Sequence, residues 1–399
     1  MQERSAIELK GITKRFGKVV ANDSISLDIR RGEILSLLGE NGSGKTTLMN
    51  MLSGIYQPDE GQIYADGKEI TIRSPKDAFS YGIGMIHQHY HLVDVFTAAQ
   101  NIILGLEDEK MDIGSTNEKV REICSKYGFD IDPLMKIYDM SVSQKQTVEI
   151  VKVLYRGADI LILDEPTAVL TPQETDKLFD VLRNMRADGK AIVIITHKLA
   201  EVMAISDKVA VLRKGKYIGT VNTSETNPQK LTDMMVGHSV TLNIDRPKYP
   251  SPEPRIEIKG LSCVDGEGIT RLDNVSFTAN GGEILGVAAI AGSGQKELLE
   301  CMTGLYPIKS GTIEYIDPES GEKKNLVGLP PMKIRQLGVG MAFVPEDRLG
   351  MGLVGSMGMT NNMMLRSWKN GKSIFFNKKD PEKLANKIWE DLEVVTPST

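Results

Sequence analysis

The sequence has few of the features that mark disulfide-stapled, secreted or membrane-spanning chains. Among its 399 residues are three cysteines, Cys124, Cys263 and Cys301, and none forms a CxxC pair. This spacing indicates neither a zinc site nor a disulfide framework, and it fits a reducing compartment. No apolar run approaches the roughly 18 residues of a membrane-spanning helix, and the N-terminus leads into no apolar segment of a secretory signal.

An excess of positive charge is also absent. The formal net charge is -5, while the hydrophobic and charged fractions, 41% and 25%, are ordinary for a globular protein. A nucleic-acid-binding domain normally carries a basic stripe, so we predict no nucleic-acid partner. The basic pairs Lys14-Arg15 and Lys378-Lys379 are interpreted as solvated faces.

The chain repeats itself. The segment at residues 32–35 recurs at residues 282–285, and the Gly-Ser-Gly of residues 42–44 recurs at residues 292–294. An offset of about 250 residues indicates a duplicated domain rather than a solenoid of short repeats.

The repeat and its flanking prolines predict the domain organisation. We predict a first domain over residues 1–246, a proline-rich linker over residues 247–254 and a second copy over residues 255–399. The second copy is shorter than one period, so we expect it to be incomplete, either by truncation or because this half is naturally short.

Short apolar runs in the first copy alternate with helical stretches. The runs Ile34 to Leu38, Ile160 to Leu163 and Ala191 to Ile195 are continuous and apolar, which is typical of buried parallel strands. The alternation predicts an α/β domain with a mostly parallel sheet.

A phosphate-binding loop follows the first of these runs. Residues 39–46, Gly-Glu-Asn-Gly-Ser-Gly-Lys-Thr, match GxxxxGK[ST] in full and open a helical run over residues 46–52. A merely flexible glycine-rich loop would not need this strand-to-helix context. Backbone N–H groups and the helix N-terminus would hold phosphates, Lys45 would neutralise the β- and γ-phosphates, and the Thr46 hydroxyl would ligate Mg²⁺. The loop therefore predicts ATP and Mg²⁺ as ligands.

Two acidic residues end the second apolar run. Asp164 is expected to hold Mg²⁺, directly or through water, and Glu165 to polarise the attacking water. A lone acidic pair after a strand is common, but the matched phosphate loop favours the functional interpretation.

Four further motifs occur in an order that resembles the ABC ATPases. They are Gln88 in residues 85–89 for the Q-loop, residues 140–144 for the LSGGQ signature, residues 164–167 for the Walker B ending and His197 for the switch histidine. The resemblance covers the whole chain and implies a P-loop fold of ABC type with a helical subdomain over roughly residues 89–155, followed by a second, altered ABC domain.

The resemblance also implies residue roles. Gln88 would sense Mg²⁺ and the attacking water, and His197 would contact the γ-phosphate and orient the catalytic groups. Phe16 would stack on adenine, although it could equally be a core residue. Ser141 and Gln144 would contact nucleotide bound on the opposite half. The implied nucleotide contacts are Phe16, Gly39, Asn41, Gly42, Ser43, Gly44, Lys45, Thr46, Thr47, Ser141 and Gln144.

The alternating histidines 87, 89 and 91 allow another interpretation. In an extended segment they would share one face, and a metal site is conceivable. The Q-loop assignment already explains the segment, and no further His or Cys ligand lies close in sequence.

The sequence departs from the family pattern in both copies. In the first, Val142 and Ser143 stand where the signature commonly has two glycines, and Thr171 stands in place of the D-loop aspartate. In the second, Lys45, Thr46 and Thr47 are replaced by Gln295, Lys296 and Glu297, and Glu346 takes the place of the counterpart of Gln88. The second loop is therefore expected to bind nucleotide weakly and to hydrolyse it poorly.

This unequal tandem plan resembles the ATPase subunits of bacterial importers for simple sugars and nucleosides, most of all the nucleoside importers. The resemblance implies ATP hydrolysis that energises import at the cytoplasmic face of the cell membrane. Implied partners are transmembrane permease subunits, an extracytoplasmic solute-binding protein indirectly, and the second ATPase half. Alternatives are a soluble ABC ATPase of translation or DNA maintenance, and a non-hydrolysing nucleotide-responsive module, against which Asp164, Glu165 and His197 argue.

Overall fold

The computed structural model describes most of the chain in two compact units. The described residues are 5–87, 91–106, 113–239, 252–289, 292–345, 348–367, 377–392, 394, 396, 398 and 399. The units comprise residues 1–243 and 244–399. Most of the predicted linker lies outside the described residues, and its last residue, Pro254, already belongs to a strand of the second unit.

The first unit contains two sheets. Its strands are β1 (Ser5–Phe16), β2 (Val19–Arg30), β3 (Ile34–Leu38), β4 (Glu60–Ala65), β5 (Lys68–Ile70), β6 (Ile83–Ile86), β7 (Ile160–Asp164), β8 (Ala191–Ile195), β9 (Lys208–Arg213) and β10 (Lys216–Asn222). One sheet has the order β10-β9-β3-β8-β7-β6 and the other β2-β1-β4-β5. The larger sheet is parallel except for β10, which pairs antiparallel with β9.

The predicted strands form the centre of the parallel sheet. All five residues of β3, of β7 and of β8 are buried, which confirms the interpretation of the three apolar runs. Alternate residues face opposite sides: Leu161 and Leu163 pack in one apolar cluster, Ile160 and Ile162 in another. A strand covered on both faces must be apolar at every position, and this explains the continuous runs.

Helices of the first unit pack against the parallel sheet, and three of them also form an apolar cluster of their own. The helices of the first unit are α1 (Lys45–Leu52), α2 (Pro75–Ser80), α3 (Ala98–Ile103), α4 (Ile113–Tyr127), α5 (Val142–Tyr155), α6 (Pro172–Ala187), α7 (Leu199–Ile205) and α8 (Pro228–Val236). Helices α3, α4 and α5 share an apolar cluster of their own, which includes Ile102, Val120 and Val148. These three helices lie within the segment predicted as a helical subdomain.

Side-chain caps set the start of helices α5 and α6. Ser141 caps α5 and Thr171 caps α6, and each forms a reciprocal capping box, with Gln144 and Glu174 respectively. The residue that replaces the D-loop aspartate is therefore an N-cap, a position at which threonine and aspartate are both favoured.

The second unit repeats part of this architecture. Its strands β11 (Pro254–Val264), β12 (Thr270–Asn280), β13 (Ser310–Ile316) and β14 (Lys323–Asn325) have the order β12-β11-β13-β14, which matches β2-β1-β4-β5. Its helices are α9 (Gln295–Thr303), α10 (Pro331–Gln336), α11 (Met359–Ser367) and α12 (Lys379–Asp391), and residues Arg348–Gly352 form a π-helical turn.

One strand of the first copy has no counterpart in the second. Residues 283–289 correspond to the region of β3 but form no strand, and Ile284 is 99% exposed. In the first unit β3 pairs with β8 and β9, and the described part of the second unit contains no equivalents of these two strands. Without them the backbone groups of residues 283–289 have no ladder to join.

Among the residues described, no helix has the length and apolar character required to cross a membrane.

We predict that Thr171→Ala destabilises the first unit. The change removes the side-chain acceptor for the Glu174 N–H, and such a loss costs about 0.5–2 kcal/mol. The free energy of opening can be measured by hydrogen exchange of the β7 and β8 amides. Thr175→Ala, inside the same helix, is the control and should be neutral or slightly stabilising. Equal destabilisation by both changes would contradict a capping role.

Candidate functional site

The phosphate-loop motif joins β3 to α1 in a conformation that requires glycine. Gly44 caps α1 with φ +94°, and a Cβ there would collide with the Ala21 carbonyl. A Cβ at Gly39 would collide with the Leu212 carbonyl oxygen. Both glycines therefore let the loop lie close against neighbouring strands, as the sequence analysis expected of a backbone that wraps an anion.

The Lys45 ammonium lies inside this loop. Its Nζ donates hydrogen bonds to the carbonyl oxygens of Gly39 at 2.7 Å and Glu40 at 2.9 Å. Burial lowers the pKa of Lys45, and the nearby carboxylates of Glu165, Asp164 and Glu40 oppose that effect. The ammonium group is thus held by two backbone carbonyl groups of the loop.

Thr46 connects the loop to the end of β7. Its hydroxyl donates to the Asp164 carboxylate at 3.2 Å. Burial raises the pKa of Asp164, and the hydrogen bond from Thr46 and the charge of Lys45 act in the opposite direction. Residues 118 positions apart thus present a hydroxyl and a carboxylate side by side, which are hard oxygen donors of the kind Mg²⁺ prefers.

Glu165 and His197 form a second contact pair at the same edge of the sheet. The His197 Nδ1 lies 2.8 Å from the Glu165 carboxylate, and with Glu165 ionised the Nδ1–H donates. The two residues follow β7 and β8, which are parallel neighbours, so their carboxyl ends lie together. The Glu165 side chain is 13% exposed and that of His197 56%.

Phe16 is an exposed aromatic residue rather than part of the core. It ends β1 with 43% of its surface accessible, so the core alternative is wrong. Its ring meets that of Tyr56 edge to face, with centroids 5.2 Å apart. Tyr56 belongs to no motif, and only the fold brings it to Phe16.

The remaining predicted loop contacts differ in exposure. Asn41 and Gly42 lie at the exposed tip, Ser43 is buried, and Thr47 is half-buried in the first turn of α1. Ser141 and Gln144 lie at the start of α5, where the Ser141 N–H donates to the Gln144 side chain at 3.0 Å. Their predicted contact with nucleotide on an opposite half stays a prediction.

The Q-loop residue and one histidine lie outside the described residues. Gln88 and His89 are not described, nor is Glu346 of the second copy. The flanking rings of His87 and His91 are in contact, with centroids 5.8 Å apart, and burial lowers the pKa of His87. Within the described ranges no three His, Cys, Asp or Glu side chains are grouped so that they could hold a metal ion.

The second loop shares the backbone shape of the first but not its chemistry. Gly294 caps α9 with φ +90°. The Gln295 side chain donates to the Val287 carbonyl oxygen at 3.2 Å. Lys296 points elsewhere, with its ammonium 3.8 Å from the Glu300 carboxylate. No cationic side chain of the loop itself thus replaces Lys45.

A further difference lies at the position of the aromatic residue. Gly260 corresponds to Gly11, since in each unit this glycine donates its N–H to a serine hydroxyl of the next strand. Asp265 therefore stands where the first unit has Phe16. Its carboxylate accepts a hydrogen bond from Arg271 at 2.9 Å, so an ion pair occupies this corner instead of an exposed ring. The sequence analysis missed this replacement, which the local match between residues 7–11 and residues 256–260 could have shown.

Comparison with known proteins identifies the family. Residues 22–168 match the model of the ABC transporter family. The chain is 43% identical over 371 residues to the nucleoside import ATP-binding protein NupA of Lactococcus lactis subsp. cremoris, covering 92% of this chain and 72% of that protein. It is also 43% identical to the guanosine import ATP-binding protein NupO of Bacillus subtilis, covering 91% and 70% respectively.

A solved structure agrees with the sequence relatives. The ADP conformation of MJ1267, an ATP-binding cassette of an ABC transporter, superposes with a TM-score of 0.53 at 25% identity, covering 60% of this chain and all of that one. The fold class predicted from the sequence is thus confirmed. The chain belongs to the ABC transporter family, as an ATP-hydrolysing subunit of the import type.

Proposed function

We propose that this chain hydrolyses ATP at the Lys45 loop and that the reaction drives import of a nucleoside through a membrane permease. The observation that carries the proposal is the convergence of five side chains from the loop and two strand ends: Lys45, Thr46, Asp164, Glu165 and His197. The nucleoside class is supported by the names of two relatives, each 43% identical to this chain.

Phosphate binding rests on the loop and α1. Backbone N–H groups of residues 39–46 and the positive end of the helix dipole favour an anion. The Lys45 ammonium, now bonded to Gly39 and Glu40, would exchange these carbonyls for β- and γ-phosphate oxygens. Asn41, Gly42, Ser43, Gly44 and Thr47 would contribute the remaining loop contacts.

Thr46 and Asp164 fit a magnesium ion. Their oxygens lie 3.2 Å apart beside the loop, and a buried carboxylate such as Asp164 gains from a neighbouring cation. Gln88 would be a further ligand. When bound, Mg²⁺ offsets the negative charge of the phosphates.

Glu165 would act as the general base. Its carboxylate would accept a proton from water that attacks the γ-phosphate. His197 donates to the same carboxylate at 2.8 Å and would fix its direction. The outward-facing Phe16 would stack on the adenine, with Tyr56 supporting its edge.

The remaining contacts would come from other protein surfaces. Ser141 and Gln144 would complete a nucleotide site on an opposite ATPase half, as the family resemblance implies. Permease subunits would hold the chain at the cytoplasmic face of the membrane, and an extracytoplasmic solute-binding protein would act indirectly. A role without a membrane partner is disfavoured by the import function of the relatives.

The two loops can be compared directly by mutation. We predict that Lys45→Ala abolishes tight Mg-ATP binding, because the buried charge at the phosphate position is lost. Gln295→Ala, the matched change in the second loop, should leave binding near normal, since Gln295 bonds a backbone carbonyl. A titration with a fluorescent ATP analogue measures both. Loss of binding in Gln295→Ala with normal binding in Lys45→Ala would mean that the second loop, and not the first, is the working site.

If Glu165 is the general base, its substitution should slow turnover while ATP binding is retained. Glu165→Gln should retain ATP and slow hydrolysis by about 10²–10⁴-fold, the usual effect of a lost general base. Phosphate release in a single-turnover assay gives the rate, and the analogue titration gives the affinity. Unchanged turnover would mean that water is activated by another group.

The substrate class can be tested by uptake. We expect cells that carry this chain with its permease and solute-binding protein to accumulate labelled guanosine or another nucleoside in preference to ribose. Glu165→Gln in the same cells should remove the uptake. Uptake of ribose without uptake of nucleosides would retain an import ATPase but reject the nucleoside assignment.

A further inference from the structure

The turn that follows β7 has an unusual backbone at its first residue. Glu165 adopts φ +50°, in the left-handed region that non-glycine residues seldom occupy. Such a conformation persists where the surrounding structure determines it. The direction of the Glu165 carboxylate depends on this backbone, so the groups that hold residues 165–168 also affect where the carboxylate points.

One of these groups comes from the signature helix α5. Gln146 is 3% exposed, and its amide Nε2 donates to the Pro166 carbonyl oxygen at 2.6 Å. The other amide atom, Oε1, is buried and has no hydrogen-bond partner among the described residues. Burying an unpaired polar atom costs stability. The hydrogen bond from Nε2 to the turn is therefore the contact that accounts for a buried glutamine at this position.

A second group comes from the segment after β8. The Lys198 ammonium donates to the Thr167 carbonyl oxygen at 2.8 Å and to the Thr167 hydroxyl at 3.2 Å. It also pairs with the Glu201 carboxylate at 2.9 Å, which in turn accepts from the Thr167 hydroxyl. Lys198 directly follows His197, the residue in contact with the Glu165 carboxylate.

These contacts hold consecutive carbonyl groups from two different elements. The carbonyl of Pro166 is bound from α5 and that of Thr167 from the start of α7, while His197 fixes the Glu165 side chain. Donors on separate elements restrain both the position and the rotation of a short turn. Among the residues that the structure describes, neither donor has a hydrogen bond to the phosphate loop.

We propose that Gln146 and Lys198 are positioning residues for Glu165, which hold the carbonyls of Pro166 and Thr167 so that the carboxylate is kept in its reactive direction. The inference rests on the proposed role of Glu165 as general base. It predicts that loss of either donor lowers turnover and leaves the binding of ATP unchanged, because the phosphate loop keeps its own contacts.

The first experiment measures turnover and affinity in matched variants of the full chain. Lys198→Met and Gln146→Met remove one donor each and keep much of the side-chain volume. We expect the single-turnover rate to fall roughly 10- to 100-fold, the scale of a small misplacement of a catalytic group. The affinity for a fluorescent ATP analogue should change less than about twofold, since the binding groups are untouched.

Lys190 provides the control, because it directly precedes β8 whereas Lys198 follows that strand. Lys190 donates to the Ala158 carbonyl oxygen at 2.8 Å and to the Asp159 carboxylate at 2.9 Å, just before β7 begins. Lys190→Met removes a lysine-to-carbonyl contact of the same kind at a distance from the site, and its turnover should stay near that of the wild type. Lys198→Arg, which keeps a cationic donor, should recover most of the lost rate.

A double-mutant cycle separates positioning from a general loss of structure. If both residues act through Glu165, adding Lys198→Met or Gln146→Met to Glu165→Gln should cause no further loss of turnover, since the group they position has already been removed. A further tenfold loss in the Glu165→Gln background would overturn the proposal. So would normal turnover of both single variants.

The same measurements distinguish failure of this inference from failure of the proposed function. Slow hydrolysis by Glu165→Gln with normal hydrolysis by both donor variants rejects only the positioning roles. Normal hydrolysis by Glu165→Gln rejects the general base, and the positioning roles with it. Should Lys198→Met fail to fold, Gln146→Met tests the same turn from another helix.

Discussion

The position of the proposed catalytic groups depends on the parallel pairing of β3, β8 and β7. Parallel neighbours place their carboxyl ends at one edge of a sheet, and these three strands lead into the phosphate loop, His197 and Asp164-Glu165 respectively. The pairing is stabilised by complete burial of each strand between apolar layers. Charged side chains lie only at the ends of these three strands, so an apolar core and a highly charged site are immediate neighbours.

Partial desolvation is what makes this edge of the sheet suitable for phosphate chemistry. Burial acts on Lys45 and Asp164 in opposite directions, lowering one pKa and raising the other, while their mutual attraction opposes both shifts. Because water screens these charges little, a bound phosphate or cation interacts with them more strongly than it would at an exposed surface. The phosphate loop adds neutral N–H donors that need no counter-charge of their own.

The two copies of the repeat have a similar loop backbone but different side chains. Gly44 and Gly294 have almost the same φ, +94° and +90°, and each is followed by a helix. What differs is the side chains at corresponding positions: Gln295 bonds the Val287 carbonyl where Lys45 lies inside the first loop, and Asp265 pairs with Arg271 where Phe16 is exposed. A glycine-rich turn with a closely packed main chain thus recurs where Lys45 and Thr46 are replaced by Gln295 and Lys296.

The sequence by itself determined the loop, the strands and the order of the motifs, because each depends on local properties. Continuous apolar runs indicate buried strands, and a fixed glycine and lysine spacing indicates a phosphate loop. Only the tertiary structure decided the contacts between distant segments: Thr46 with Asp164, Phe16 with Tyr56, and Gln146 and Lys198 with the turn after Glu165. It also decided that residues 283–289 form no strand, since an apolar segment becomes a strand only when neighbours complete its hydrogen bonds.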